Sequence, residues 1–189
     1  NRLVDALAAS HRTNAAVLTF NEMLTSQLNL DVLTNQALLQ LIENTNSSAG
    51  AILIEAEGEM HLSASHGIRS PEKIPGSDYL RRAVRSEQRQ IIQLPEEVTL
   101  EGVLTDFRPR EVIVDPISYK HIPLGVVVLA NAHTFSEEAK NRLNLFHQGL
   151  SLALNNALVH DRLQRLAAID PLTGIYNRRF GLARLKEEF

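Results

Sequence analysis

The run from Glu111 to Asn131 constrains the fold more than any other stretch of the chain. It reads as two β-strands, Glu111–Tyr119 and Ile122–Asn131, joined by a tight Lys120-His121 turn. The second strand is apolar at almost every position from Ile122 to Ala132. A strand without polar alternation needs cover on both faces, so it belongs in the middle of a sheet with other layers above and below. It is also far too short to span a bilayer, and no other apolar run reaches the required length of about 18 residues.

The rest of the sequence supplies the neighbours. From Leu3 to Leu28 there is neither Gly nor Pro, and Leu3, Leu7, Val17, Leu24 and Leu28 recur at helical spacing. Asp31 is the expected N-cap of a second helix reaching about Asn44. Ala51–Ala56 and Met60–Ala64 read as a hairpin around Glu57-Gly58. A loop from Gly67 to Gly76 leads to a short helix capped by Ser77 or Asp78 and ending near Glu87. Arg89–Leu94 is expected to be a strand, and Pro95–Arg110 a loop with one helical turn around Leu100–Leu104. Ser136 caps a last helix running to about Ile169. The expected class is α+β: roughly five or six antiparallel strands flanked by helices, with long helices at both ends. A cavity beneath the cover segment between the third strand and the Glu111 strand is the natural place for a small ligand.

The 189 residues include no cysteine, which removes disulfides, thiolate metal sites and cysteine nucleophiles. A formal charge of −3 offers no basic excess for nucleic acid or an anionic membrane surface, so neither is an expected partner. The 7 histidines (His11, His61, His66, His121, His133, His147, His160) include no pair spaced four apart, and no metal site is expected. The chain opens at Asn1 inside one helical pattern and stops at Phe189 inside another, as a piece of a longer polypeptide would.

The last long helix carries a second pattern. Leu145, Leu152, Val159 and Leu166 recur every seven residues, and Gly149, Asn156 and Leu163 follow the first three by four. With the former at d and the latter at a, this is a coiled-coil seam. Asn156 at a favours a parallel pair, and a parallel homodimer is the expected partner state. The first helix has a similar set, with Leu3, Val17 and Leu24 at d and Leu7, Asn14, Asn21 and Leu28 at a, interrupted by Ser10. The alternative is that the same apolar row docks on the sheet.

Asp115-Pro116-Ile117, then Leu124-Gly125-Val126-Val127-Val128-Leu129-Ala130, then Phe135-Ser136-Glu137-Glu138, resemble a GAF domain, a sensory relative of PAS domains, over about Leu28 to Val159. The resemblance implies a ligand pocket under the cover segment, bordered by Tyr79, Arg82, Phe107, Asp115 and Tyr119, unless these serve as packing or solvent-facing residues. Of the pattern carried by cyclic-nucleotide-binding members, Asn131 and Phe135 match. Ala132 replaces the lysine, and Ala139-Lys140 stand where Asp-Glu would fall, so that ligand class is not expected. Bilin attachment and GAF-like methionine sulfoxide reductase chemistry need a cysteine.

Asp170-Pro171-Leu172-Thr173-Gly174-Ile175-Tyr176-Asn177-Arg178-Arg179-Phe180 resembles the segment that opens a GGDEF domain, the diguanylate cyclase module. Physically, Asp170 caps a turn, Pro171 fixes φ, Thr173-Gly174 make a bend and Asn177 starts a helix; a plain helix-turn-helix linker would read the same way. Asp170, Leu172, Thr173, Gly174, Asn177, Arg178 and Arg179 carry the resemblance structurally. The family's metal-binding and GGDEF residues fall downstream of this opening, so no catalytic residue, cofactor or activity is expected here; the parent cyclase would use Mg2+ and GTP.

The expected organisation is therefore a dimerisation helix at 1–27, a GAF sensor at 28–148, a coiled-coil linker at 149–169 and the start of a GGDEF domain at 170–189. The expected function is the cytoplasmic input stage of a bacterial diguanylate cyclase, which could be membrane-tethered through upstream sequence. It would relay a small-molecule or other signal through the helix. A ligand-free dimerisation scaffold is the alternative.

Overall fold

The computed structural model describes residues 15, 17–24, 26–94 and 109–168. The Asp170 motif, Phe107 and the heptad positions before residue 15 lie outside the described residues. So does the side chain of Leu166.

Helix α1 covers residues 17–24, and α2 covers Leu30–Thr45. The N-cap of α2 is Asn29, two residues before the expected Asp31. The Asn29 Oδ1 accepts from the Val32 N–H at 3.0 Å, while Asp31 sits in the first turn, where its charge suits the helix dipole. Asn46 closes the helix in the left-handed region at φ 53°, and Ser47 N–H reaches back to Ile42 O at 2.9 Å. Asn29→Ala is expected to lower stability by about 1 kcal/mol, measurable as a shifted urea midpoint, and Asp31→Ala by less.

The strands are β1 (Ala49–Ala56), β2 (Glu59–His66), β3 (Gln90–Gln93), β4 (Glu111–Tyr119) and β5 (Ile122–Asn131). All pairs are antiparallel, in the order β2-β1-β5-β4-β3, so the uninterrupted apolar strand is central. Both hairpin turns have two consecutive positive-φ residues, Glu57-Gly58 and Lys120-His121, the geometry that matches strand twist. Within the expected 67–76 loop, Pro71–Gly76 forms a 3-10 helix, followed by α3 (Asp78–Ser86). The final helix, α4, runs Glu137–Ala168, and the Ser136 Oγ accepts from Ala139 N–H at 3.1 Å.

Two bulges shape the sheet. Ile52 pairs Ala64 while Leu53 pairs Leu62, leaving Ser63 as an extra residue whose hydroxyl meets Thr34 of α2 at 2.9 Å. Ile117 pairs Gly125 while Ser118 pairs Pro123, leaving Leu124 extra beside Gly125. Strand β3 ends opposite Val114, so Pro116 lies where β4 has no outer neighbour and its missing N–H costs little.

Each face of the sheet has its own core. One packs Ile52, Ile113, Ile117, Val127 and Leu129 against Phe20, Leu24, Leu33, Leu38 and Leu41 of α1 and α2 and against Leu143, Phe146 and Leu150 of α4. The other packs Ala51, Leu53, Val114 and Val126 under Leu80 and Ala83 of α3. The architecture is α+β: a five-stranded antiparallel sheet between a three-helix layer and a smaller cover. Among the described residues no helix is long and apolar enough to cross a membrane.

Candidate functional site

Helix α4 carries two apolar rows. Leu143, Phe146, Leu150, Ala153, Leu154 and Ala157 are buried at i, i+3, i+4, i+7 spacing, facing the sheet and the neighbouring helices. Leu145, Leu152, Val159 and Leu163 remain 46%, 42%, 50% and 59% exposed. At 3.6 residues per turn the two rows are centred roughly 140° apart. The heptad row is therefore not the row that docks on the sheet.

Asn156 is exposed within the heptad row, as the a assignment requires in a single copy of the chain. Gly149 differs. A Cβ there would run into the Asn21 side chain of α1, so this position is used for close helix approach within the chain. Phe20 and Phe146, with ring centroids 4.5 Å apart, hold the same contact.

Of the residues expected to border one pocket, the described ones, Tyr79, Arg82, Asp115 and Tyr119, do not converge. Tyr79 and Arg82 lie on the exposed side of α3, where the Arg82 guanidinium sits 4.8 Å over the Tyr79 ring. Asp115 is on the opposite face of the sheet. Alternation along β4 puts it with Ile113 and Ile117 toward the helix layer, not with Val114 toward α3. Tyr119 is half-buried against the helix-layer core, with Lys120 Nζ 5.4 Å from its ring.

On the α3 side a groove of about 440 Å³ runs between the β1–β2 turn and α3, lined by Met60, Pro75 and Val84 with Arg81 and Arg85 at its margin. Met60, Leu62, Ile68, Ile74, Ile92 and Val112 continue this partly covered apolar surface. A second groove, about 690 Å³, separates the β1–β2 hairpin from the outer half of α4 near Leu158 and Arg162.

Asp115 instead anchors a polar cluster that sequence reasoning did not assemble. Its carboxylate accepts from Arg89 Nε at 2.7 Å, from Arg89 Nη2 at 3.1 Å and from His147 Nδ1 at 3.0 Å. The third guanidinium nitrogen, Arg89 Nη1, donates to Asn144 Oδ1 at 2.7 Å. An ionised carboxylate only accepts, so His147 must carry its proton on Nδ1. Burial alone would push the Asp115 carboxyl up; hydrogen bonds from His147 and Arg89, together with their charges, outweigh it and hold the group below the usual carboxylate range. The partners lie 26 and 32 residues away, so no local spacing could have announced them.

Asn131 and Phe135, the two positions that match the nucleotide pattern, are occupied structurally. Asn131 Nδ2 donates to Asn46 O at 3.2 Å, and its Oδ1 accepts from Ser48 Oγ at 3.3 Å, tying the end of α2 to the end of β5. Phe135 is buried, and its N–H donates to the buried Glu111 Oε2 at 2.6 Å. Among the described residues no group of three or more His, Asp or Glu could hold a metal ion.

Solved structures similar to this arrangement include GAF domains. One is the GAF domain of a putative sensor histidine kinase from Pseudomonas syringae pv. tomato, with TM-score 0.63 and 17% identity, covering 87% of this chain and 99% of that one. Another is the GAF domain of an Acinetobacter phosphoenolpyruvate-protein phosphotransferase, with TM-score 0.62 and 17% identity over 77% and 93%. A third, from the corresponding Coxiella burnetii protein, has TM-score 0.61 and 18% identity over 82% and 96%. No protein-family model matches the chain, and no curated protein matches it. At such identities the likeness establishes the fold, and the fold is that of GAF domains.

Proposed function

We propose that this chain is a sensory input module that pairs in parallel with a second copy through α4 and hands its state to a diguanylate cyclase domain opening at Asp170. The observation that carries the pairing is the exposed row Leu145, Leu152, Val159 and Leu163, set apart from the row that α4 buries on its own sheet. Removing such a row from water is the usual drive for two helices to associate, and Asn156 within it favours parallel register. Making cyclic di-GMP from two GTP, with Mg2+, brings two cyclase domains face to face, so the angle and register of a paired helix would set how productively they meet. A ligand on the α3 side changes that geometry only if it binds two arrangements of the helices unequally. The sensory reading is supported by the fold shared with the GAF domain of a putative sensor histidine kinase.

The chain has no cysteine, so introduced ones report cleanly. Leu163→Cys is expected to cross-link efficiently into homodimers under mild oxidation. Arg162→Cys, about 100° round the helix, is expected to do so poorly. Leu152→Glu should shift the sedimentation equilibrium toward monomer. Equal cross-linking at both sites, or a monomer at high concentration, would sink the pairing.

The scaffold reading is favoured by one observation: Tyr79, Arg82 and Asp115 do not converge on a polar ligand site. Native mass spectrometry of the purified chain separates the two, since a sensor with a resident small molecule carries added mass and a scaffold does not.

A further inference from the structure

We infer that Arg89 is a positioning residue that links α3, on one face of the sheet, to α4 on the other. The β3–β4 register pairs Gln90 with Val114 and Ile91 with Ile113. Continued by one step, it sets Arg89 opposite Asp115, with both side chains on the helix-layer face. Yet Arg89 lies only three residues beyond Ser86, the last residue of α3, whose Leu80 and Ala83 are buried on the other face. The intervening chain is a tight connection: Glu87 is in the left-handed region at φ 50° and its N–H bonds Val84 O at 3.3 Å.

The guanidinium is consequently a fork with one end in the sheet and one on the last helix. Nε and Nη2 grip the buried Asp115, and Nη1 holds Asn144 of α4, while His147 of α4 donates to the same Oδ2 that Nη2 holds. A shift of α3 on its apolar bed moves the 87–89 connection. The planar fork then cannot keep both grips unchanged. Either Arg89 drags Asn144 with it or the bond to α4 opens. The linkage runs round the edge of the sheet at short β3, not through the packed sheet, and by reciprocity a displacement of α4 loosens α3. Its purpose rests on the sensory reading above, but the linkage belongs to this chain alone and is measured without dimer or cyclase.

The test is amide hydrogen exchange on the 189-residue chain, comparing residues 137–150 with α2 as internal reference. Leu80→Ala loosens α3 on the far face, in contact with neither Asn144 nor His147. In the parent background it is expected to speed exchange in α3 and, about tenfold, in residues 141–150. In an Arg89→Gln background the same substitution should speed exchange in α3 and leave 141–150 at the rate of Arg89→Gln alone. Arg89→Lys, which keeps the charge but not the fork, is expected to behave like Arg89→Gln. Ala83→Gly makes the same comparison where Leu80→Ala does not fold. A response of 141–150 of equal size in both backgrounds, or none in either, overturns the proposal, whether or not Leu163→Cys cross-links.

Discussion

Asp115→Ala is expected to cost about 3 kcal/mol of folding stability at neutral pH, among the largest losses available from a single polar side chain here. The carboxylate is buried and accepts three hydrogen bonds; its removal leaves the Arg89 guanidinium and the His147 ring, both partly buried, without their shared acceptor. Arg89 keeps one bond, to Asn144, and its side chain is 20% exposed, which places the cost at the low end for a broken buried pair.

The pH dependence has a definite sign. The folded-state pKa of Asp115 lies below the unfolded value, so its stabilisation is fully present above the unfolded value of about 3.9 and fades as pH falls through the folded one. Denaturant titrations at neutral pH and near pH 3 are expected to show Asp115→Asn losing less on acidification than the parent. An equal acid loss in both would mean that Asp115 is not held ionised by its partners.

Gly125→Ala is expected to be at least as damaging, at about 3 kcal/mol or more, for a different reason. Gly125 lies in the central strand beside the extra residue Leu124 and is paired with Ile54 of β1. A Cβ there would meet the backbone of Leu53 and Ile54. Backbone atoms in the middle of a ladder cannot yield as a flexible side chain can, so the strain passes into the β1–β5 pairing. Gly58 makes the contrast: it has φ +85° but open space around it, and Gly58→Ala should cost only about 1 kcal/mol of backbone strain. Urea midpoints of the two variants test the assignment; comparable losses would show that conformation and not crowding decides.

What was legible in the sequence was local or periodic. The apolar run at Leu124–Ala130, the Glu57-Gly58 and Lys120-His121 turns and the Ser136 cap each announce themselves within a few residues, and each stands where expected. The cap of α2 was misplaced because Asn29 and Asp31 are both good capping residues, and only the Oδ1–Val32 geometry distinguishes them. The heptad in α4 was visible, but its relation to the docked row was not: both are apolar repeats in one helix, and which faces the sheet depends on contacts far along the chain. Asp115 is legible as a candidate, but the face of the sheet it occupies is not. Pleating decides the face once register is known, and the register of β3 with β4 closes across a long connection. Arg89 and His147 carried no signal of their own.

The two apolar rows of α4 keep the same seven-residue beat, Leu145, Leu152 and Val159 on one side and Leu143, Leu150 and Ala157 on the other. On a straight α-helix such a beat slips by about 20° per repeat, so both rows creep round the rod together, or the rod must coil. Among the described residues the buried row ends at Ala157, with Leu158 still partly packed against the core, so the stretch from Val159 onward is free of the sheet and can follow a partner helix. The helix thus contains its own hand-over point, and adding or deleting a single residue just past it would swing everything downstream by about 100° without disturbing the body behind.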